Sequence, residues 1–338
     1  MKSFVKKRPG LAFLLINFVW TWLFWFAAIP FRAQDTLLVT GLVLIGGYGP
    51  ALAGVLTLNL KSDKKADLSL NRWITFIVAT VVIFGVMALR YSVGNIPNYN
   101  TLAADLTLSV PIVAAALVAS LVGAWVISSA VSRNDEVRAR MGSLLPWRRP
   151  SGWTLLAIIA YPAMILVAWG LASVLGMGVE YPALWGRPLL DVLPLYVLTF
   201  ALTMLAQGGN EEPGWRGVLQ PELQRRFSPL VAALIVSAFW SLWHLPLYLN
   251  GFYGGPLVGG MIGGGIYRIL LSIFLAWFYN RSKGDLFAMV FLHTCFNVMV
   301  NFLPTSDLGL TVLWLLLVIV IVVKDKMYRK LPASRITA

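Results

Sequence analysis

Charge is what this 338-residue chain lacks most. Asp, Glu, Lys and Arg together make up 12% of it, against about 25% in a soluble globular domain. Apolar residues make up 59%. A deficit of that size excludes an ordinary water-soluble protein and implies a chain written for a bilayer. Cysteine is reduced to Cys295 alone. One thiol excludes an intrachain disulfide and a Cys-based zinc cluster, and within an apolar stretch it reads as a small buried packing residue. Histidine is limited to His244 and His293. Internal repeats, low-complexity tracts and a soluble domain of useful size are also missing. The net charge of +13 would suggest nucleic acid in a soluble protein. Here the positive charge follows membrane topology, so no nucleic-acid partner is expected.

What is abundant is apolar helix. A spanning helix needs about 20 mostly apolar residues. Ten such stretches occur, at roughly 10–29, 37–60, 73–91, 108–131, 153–175, 190–207, 230–249, 258–280, 285–303 and 308–323. The first is too long for the apolar core of a signal peptide, which runs to about 15 residues, and is read as a true span. With the N-terminus in the cytoplasm, all but four of the 27 basic residues, from Lys2 to Arg335, fall in cytoplasmic segments. The exceptions are Arg32, Arg90 and Arg187, and Arg268 within a span. This is the positive-inside pattern. The expected fold is therefore an all-α, polytopic membrane helix bundle of about ten transmembrane helices, both termini cytoplasmic. In a prokaryote such a multi-pass protein would lie in the plasma membrane. The 14 Trp, 11 Tyr and 18 Phe suit interfacial belts and helix packing.

Ionisable groups at membrane depth are costly and mark function, and here they collect in the last 40% of the chain. The first element is Gly208-Gly209-Asn210-Glu211-Glu212-Pro213-Gly214-Trp215-Arg216. Its glycines and proline mark a helix break, with Asn210 or Glu212 as a cap for a new helix. If the helix continues instead, Glu212 and Arg216 stand at i and i+4. Two adjacent carboxylates in a low dielectric cannot both ionise easily, which suits a general base. The second element is Trp240-Ser241-Leu242-Trp243-His244, with Trp240 and His244 on one helix face. The third is His293-Thr294-Cys295-Phe296-Asn297, whose His293 and Asn297 share a face that Asn301 continues. Such a face can donate hydrogen bonds to a developing oxyanion or serve as polar glue between helices.

Glu-Glu-x-x-x-Arg, then an aromatic-x-x-x-His, then His-x-x-x-Asn, resembles the CPBP family of intramembrane proteases (CAAX prenyl proteases and bacteriocin-processing enzymes). The resemblance covers about residues 190–303. One position departs from it: Trp240 stands where the family usually has Phe, a change expected to affect packing only. The resemblance implies an intramembrane endopeptidase acting on membrane-associated proteins or peptides, prenylated or not. Glu211 and His244 would orient and deprotonate a water, His293 and Asn297 would stabilise the tetrahedral oxyanion, and Arg216 would hold Glu212. The family is usually called metalloproteases, although a metal-free mechanism is also argued for it. Glu211, His244 and His293 are the candidate ligands for a divalent metal such as zinc, but the chain has no His-Glu-x-x-His motif.

The chain accordingly divides into N-terminal membrane helices of unassigned role (1–189), a CAAX-protease-like bundle (190–305), and a last helix with a basic tail (306–338). Residues 132–152 are the expected linker. Gly255, Gly259 and Gly263 are expected to let helices approach closely. Arg268 is a candidate for a substrate carboxylate or for pairing with a glutamate of the site. The site itself is expected in a cavity open to the cytoplasm. Two other functions fit the composition: a secondary transporter with a Glu/His proton relay, whose matching break would be Gly46-Gly47/Pro50, and an idle scaffold that binds membrane peptides.

Overall fold

The computed structural model describes residues 2–33, 36–64, 67–92, 110–146 and 152–332. Lys65, Arg148, Arg149 and Arg335 of the basic set, and Pro150 of the expected linker, lie outside the described residues. Apart from one antiparallel bridge between Glu180 and Thr305, the regular structure among the described residues is helical. In chain order the helices are α1 Lys2–Lys7, α2 Pro9–Ala27, α3 Thr36–Gly47, α4 Gly49–Lys61, α5 Leu70–Ser92, α6 Val110–Ser128, α7 Asp135–Met141 and α8 Gly152–Val174. They continue as α9 Leu189–Ala206, α10 Glu212–Gly214, α11 Gln220–Gln224, α12 Pro229–Trp243, α13 Leu245–Leu249, α14 Leu257–Arg281, α15 Leu286–Val298 and α16 Asp307–Lys324. Nine helical segments among the described residues are long and apolar enough to cross a bilayer, and Leu286–Asn301 forms a shorter tenth. The protein is an all-α polytopic membrane bundle.

α2 shows how the pattern works. Leu11, Leu15, Val19, Leu23 and Phe26 are exposed along one stripe, where lipid chains would lie. Phe13, Asn17, Thr21 and Trp25 are buried along the opposite stripe, as a helix period of 3.6 dictates. The buried polar groups of α2 have a specific task on the next span, which is not one helix but two. α3 ends at Gly47, and α4 begins at Gly49 with Pro50 in its first turn. Pro50 has no N–H to offer the carbonyl four residues back. The Thr21 hydroxyl donates to that Gly46 carbonyl instead, at 2.8 Å. Trp25 Nε1 donates to the Val43 carbonyl at 3.0 Å and Trp20 Nε1 to the Ile45 carbonyl at 2.9 Å. A broken helix at membrane depth is tolerated only where neighbours satisfy its freed backbone groups.

The second broken span packs directly on the first. A methyl group at Gly214 would collide with the Pro50 carbonyl, and one at Gly54 would stand 3.2 Å from the Pro213 carbonyl oxygen. α4 and α10 therefore meet backbone to backbone, which only small residues allow. The 132–152 segment, where described, is not a free linker. Asn134 caps α7 by accepting the Glu136 N–H at 3.2 Å. The Ser143 hydroxyl donates to the Gly284 carbonyl at 2.9 Å and accepts the Leu286 N–H at 3.3 Å, so this segment covers the start of α15. The glycine stripe of α14 also differs from expectation. Gly263 has open space around it, whereas Gly260 and Gly264 are the ones packed, against Tyr248. The stripe 255/259/263 faces outward because Tyr248 occupies the neighbouring face.

Gly214→Ala is expected to destabilise the fold by about 1–3 kcal/mol, the usual cost of overpacking a close contact. Thermal unfolding in detergent measures it, and Gly263→Ala, in open space, should leave the transition unmoved.

Candidate active site

The site begins where α9 fails. Gly208 has φ +143°, a conformation that favours glycine. It is also where the backbone passes closest to α15: a methyl group there would collide with Asn297 Nδ2 and lie 3.4 Å from His293 Nε2. Asn210 holds the turn. Its side-chain oxygen accepts the Gly208 N–H at 2.8 Å, and its amide donates to the Gly47 carbonyl at 3.2 Å. Each broken span thus supplies part of the other's hydrogen bonding. The helix restarts at Glu212, with Pro213 in its first turn. It passes through a π-helical turn, Trp215–Leu219, into α11. π-Turns of this kind recur at functional sites.

Within this frame the two glutamates have different partners. Glu212 is fully buried. One of its oxygens lies 2.7 Å from His293 Nδ1, and the other 3.5 Å from Arg216 Nε, one helical turn on. Arg216 is also fully buried. Its guanidinium lies 5.0 Å from the centre of the Trp240 ring, and Nη2 is 3.5 Å from the Ser272 hydroxyl. Glu211 instead accepts the Trp240 Nε1–H at 2.7 Å. Glu212 is thereby committed to the protein framework, while Glu211 keeps one oxygen for something else.

Trp240 is the hub. Besides holding Glu211 and covering Arg216, its ring stands edge-on to His293 with centroids 5.4 Å apart. Its carbonyl oxygen lies 2.6 Å from His244 Nδ1. A carbonyl only accepts, so Nδ1 carries the proton there and a neutral His244 keeps its lone pair on Nε2. The expectation that Trp in place of Phe alters packing only is therefore corrected: the indole N–H makes a hydrogen bond to Glu211 that Phe cannot make.

A cavity of about 230 Å³ adjoins these groups, lined among others by Glu211, His244 and Asn297. At roughly 30 Å³ per water it has room for several water molecules. Asn297 donates to the Gln207 carbonyl at 3.3 Å. Glu212, Arg216 and His293 stand behind the wall rather than in it. The wall also includes residues that the sequence did not single out: Trp25, Val43, Leu44 and Gly47 from α2 and α3, Gln207 and Gly208, and Tyr253 from the turn after α13. The break at Gly46-Gly47/Pro50 was the visible signal for the first group. Tyr253 stacks on His244, with ring centroids 5.9 Å apart and planes at 15°. Burial pushes its phenol up to about 12, opposed by the Arg268 guanidinium, so it remains a neutral hydroxyl. Arg268 is buried beside Tyr253 and is not part of the wall.

Among the described residues no three His, Cys, Asp or Glu side chains are grouped as a metal site would need. The contacts of His293 with Glu212 and of His244 with the Trp240 carbonyl engage Nδ1 and leave Nε2 of both rings unengaged by them.

Residues 193–299 match the family model for type II CAAX prenyl endopeptidases, Rce1-like. Over this segment the chain is similar to that family, in agreement with the resemblance its motifs carry. All six residues singled out from the motifs, Glu211, Glu212, Arg216, His244, His293 and Asn297, lie within it. A CAAX prenyl protease 2 of Methanococcus maripaludis is 28% identical over 148 residues, covering 41% of this chain. The matched part is 52% of that protein, so the chain spans about half the length of the curated relative it matches. Among the wall residues, Trp25, Val43, Leu44 and Gly47 lie outside the family segment.

Arg216→Ala would leave the buried Glu212 carboxylate without its guanidinium. It is expected to cost about 3–5 kcal/mol of stability, as removal of one partner of a buried ion pair does. The measurement is thermal unfolding in detergent. An unchanged transition would show that the pair does not contribute to stability.

Proposed function

We propose that this protein is an intramembrane endopeptidase that hydrolyses peptide bonds of membrane-associated proteins or peptides. The observation that carries the reading is the convergence on one cavity of a carboxylate with a free oxygen, Glu211, an imidazole with a free Nε2, His244, and an amide donor, Asn297. The similarity of residues 193–299 to type II CAAX prenyl endopeptidases supports it.

A water in the cavity is oriented between Glu211 and His244. Glu211 takes its proton as the oxygen attacks the scissile carbonyl carbon. The carbonyl oxygen becomes an oxyanion and is met by the Asn297 amide. The C–N bond then breaks, the amine leaves with the proton carried by Glu211, and a carboxylic acid remains. Glu212 holds His293 through Nδ1, and Arg216 balances Glu212, so both are positioning residues. Prenylated substrates fall within this class.

The test compares membrane-protein termini, by quantitative terminal-peptide mass spectrometry, in cells carrying the protein and in cells carrying Glu211→Gln. New termini that vanish in the variant are expected. Identical termini, with both proteins equally abundant and folded, would sink the reading. Trp240→Phe removes the hydrogen bond that orients Glu211. A bond to a charged group is worth about 1.5–3 kcal/mol, so kcat/KM on a substrate so identified should fall roughly 10- to 100-fold. The thermal transition should stay within a few degrees of the parent, because the ring is kept.

A further inference from the structure

We infer that a second cavity, between α4, α5 and α6 at the end of the bundle that carries the basic loops, binds an anionic phospholipid, with Arg72 on the headgroup phosphate and the acyl chains along α4 and α5. The cavity is built from residues outside the segment 193–299, and the inference does not depend on the peptidase reading.

The cavity holds about 460 Å³, within the range of about 300–1,000 Å³ in which small-molecule sites fall. Its two ends differ in chemistry. Lys2, Lys64, Asp67, Arg72 and Ser128 line it where α1 and α5 begin and α4 and α6 end. Leu56, Phe76 and Trp125 line it further in. Phe76 is four residues along α5 from Arg72, about 6 Å deeper. Leu56 is five residues inside the end of α4 at Lys61, about 7.5 Å. Charge therefore sits at the membrane surface and apolar walls run inward, which is the polarity of a phospholipid in its own leaflet. The lining residues Leu68 and Trp73 are exposed, so the cavity is reached from the side, where lipid lies.

Arg72 supplies the reason for an anion. It is nine-tenths buried. Its Nη1 donates to the Asp67 carbonyl at 3.3 Å, its Nε stands 3.5 Å from the Ser128 hydroxyl, and the guanidinium lies 5.7 Å from the centre of the Trp125 ring. Both hydrogen-bond partners are neutral, and among the described residues no carboxylate forms an ion pair with it. The carboxylate of Asp67 is engaged elsewhere: one oxygen accepts the Ser69 N–H at 3.0 Å and the other the Arg133 N–H at 2.7 Å. Lys64 pairs with Asp135 outside the cavity. Lys2, Lys64 and Arg72 thus face the cavity against the single acid Asp67. A buried cation is costly unless an anion accompanies it. A phosphodiester matches the planar guanidinium, and basic pockets between membrane helices take anionic headgroups. Free phosphate would meet the same cations but leave Leu56, Phe76 and Trp125 uncovered. The apolar wall therefore selects the lipid.

The test uses the parent protein in phosphatidylcholine vesicles containing a trace of phosphatidylglycerol with a photoactivatable group on its acyl chain. After illumination, labelled peptides are mapped by mass spectrometry. Label is expected on the peptides carrying Leu56 and Phe76. A tenfold excess of unlabelled phosphatidylglycerol should reduce it at least fivefold, and the same excess of phosphatidylcholine or of inorganic phosphate should not. Arg72→Gln should lower the labelling of these peptides at least fivefold, whereas Lys330→Gln, distant from the cavity, should leave it unchanged. Label absent from these peptides, or displaced equally by phosphatidylcholine, would overturn the proposal. Displacement by inorganic phosphate would overturn the lipid assignment in favour of a free anion. A folded Arg72→Gln protein that labels like the parent would overturn the role of Arg72. If that variant does not fold, the competition pattern of the parent decides.

Discussion

Two adjacent carboxylates inside a bilayer are the constraint that the rest of this structure answers. Moving a single carboxylate into a low-dielectric interior has an effective penalty of several kcal/mol, and neighbouring like charges add to it. The protein resolves this by treating the two differently. Glu212 is enclosed by His293 and Arg216, and Arg216 is in turn covered by Trp240. Glu211 receives one hydrogen bond, from the same Trp240, and is left at the cavity. Only one of the pair has both oxygens facing framework partners.

Holding that arrangement requires backbone that is not helical at membrane depth. The break at Gly208 places the glutamates at the start of a helix and brings the backbone against His293 and Asn297. Its exposed groups are satisfied by a second break, at Gly47, through Asn210. That second break is satisfied by Thr21, Trp20 and Trp25 of α2. α2, α3 and α4 are consequently not accessories to a separate catalytic bundle in the geometric sense. They complete its hydrogen bonding and provide one wall of its cavity, although they lie outside the segment that the family shares.

α7, α10, α11 and the basic ends of α2 and α4 form a closed layer. Beside the cavity, Trp25 of α2 packs against Trp243 of α12 with ring centroids 4.4 Å apart, and Tyr253 stacks over His244.

Much of this was legible in the chain itself. Low charge and ten apolar stretches determined a membrane bundle, because a bilayer penalises every unpaired polar group. The distribution of Lys and Arg determined its orientation, and the i, i+4 spacings of Glu212 with Arg216 and of His293 with Asn297 determined which side chains share a face. What the sequence could not decide is where those faces meet. The contact of Glu212 with His293 joins positions 81 apart, and the bond from Trp240 to Glu211 makes a motif variation functional rather than steric. The role of α2 and α3 and the seat of Arg268 depend on how broken helices pack. Spacing along one helix fixes neighbours within it, whereas the relation between helices is set by backbone contacts at a few glycines and by buried hydrogen bonds, and these exist only once the chain has folded.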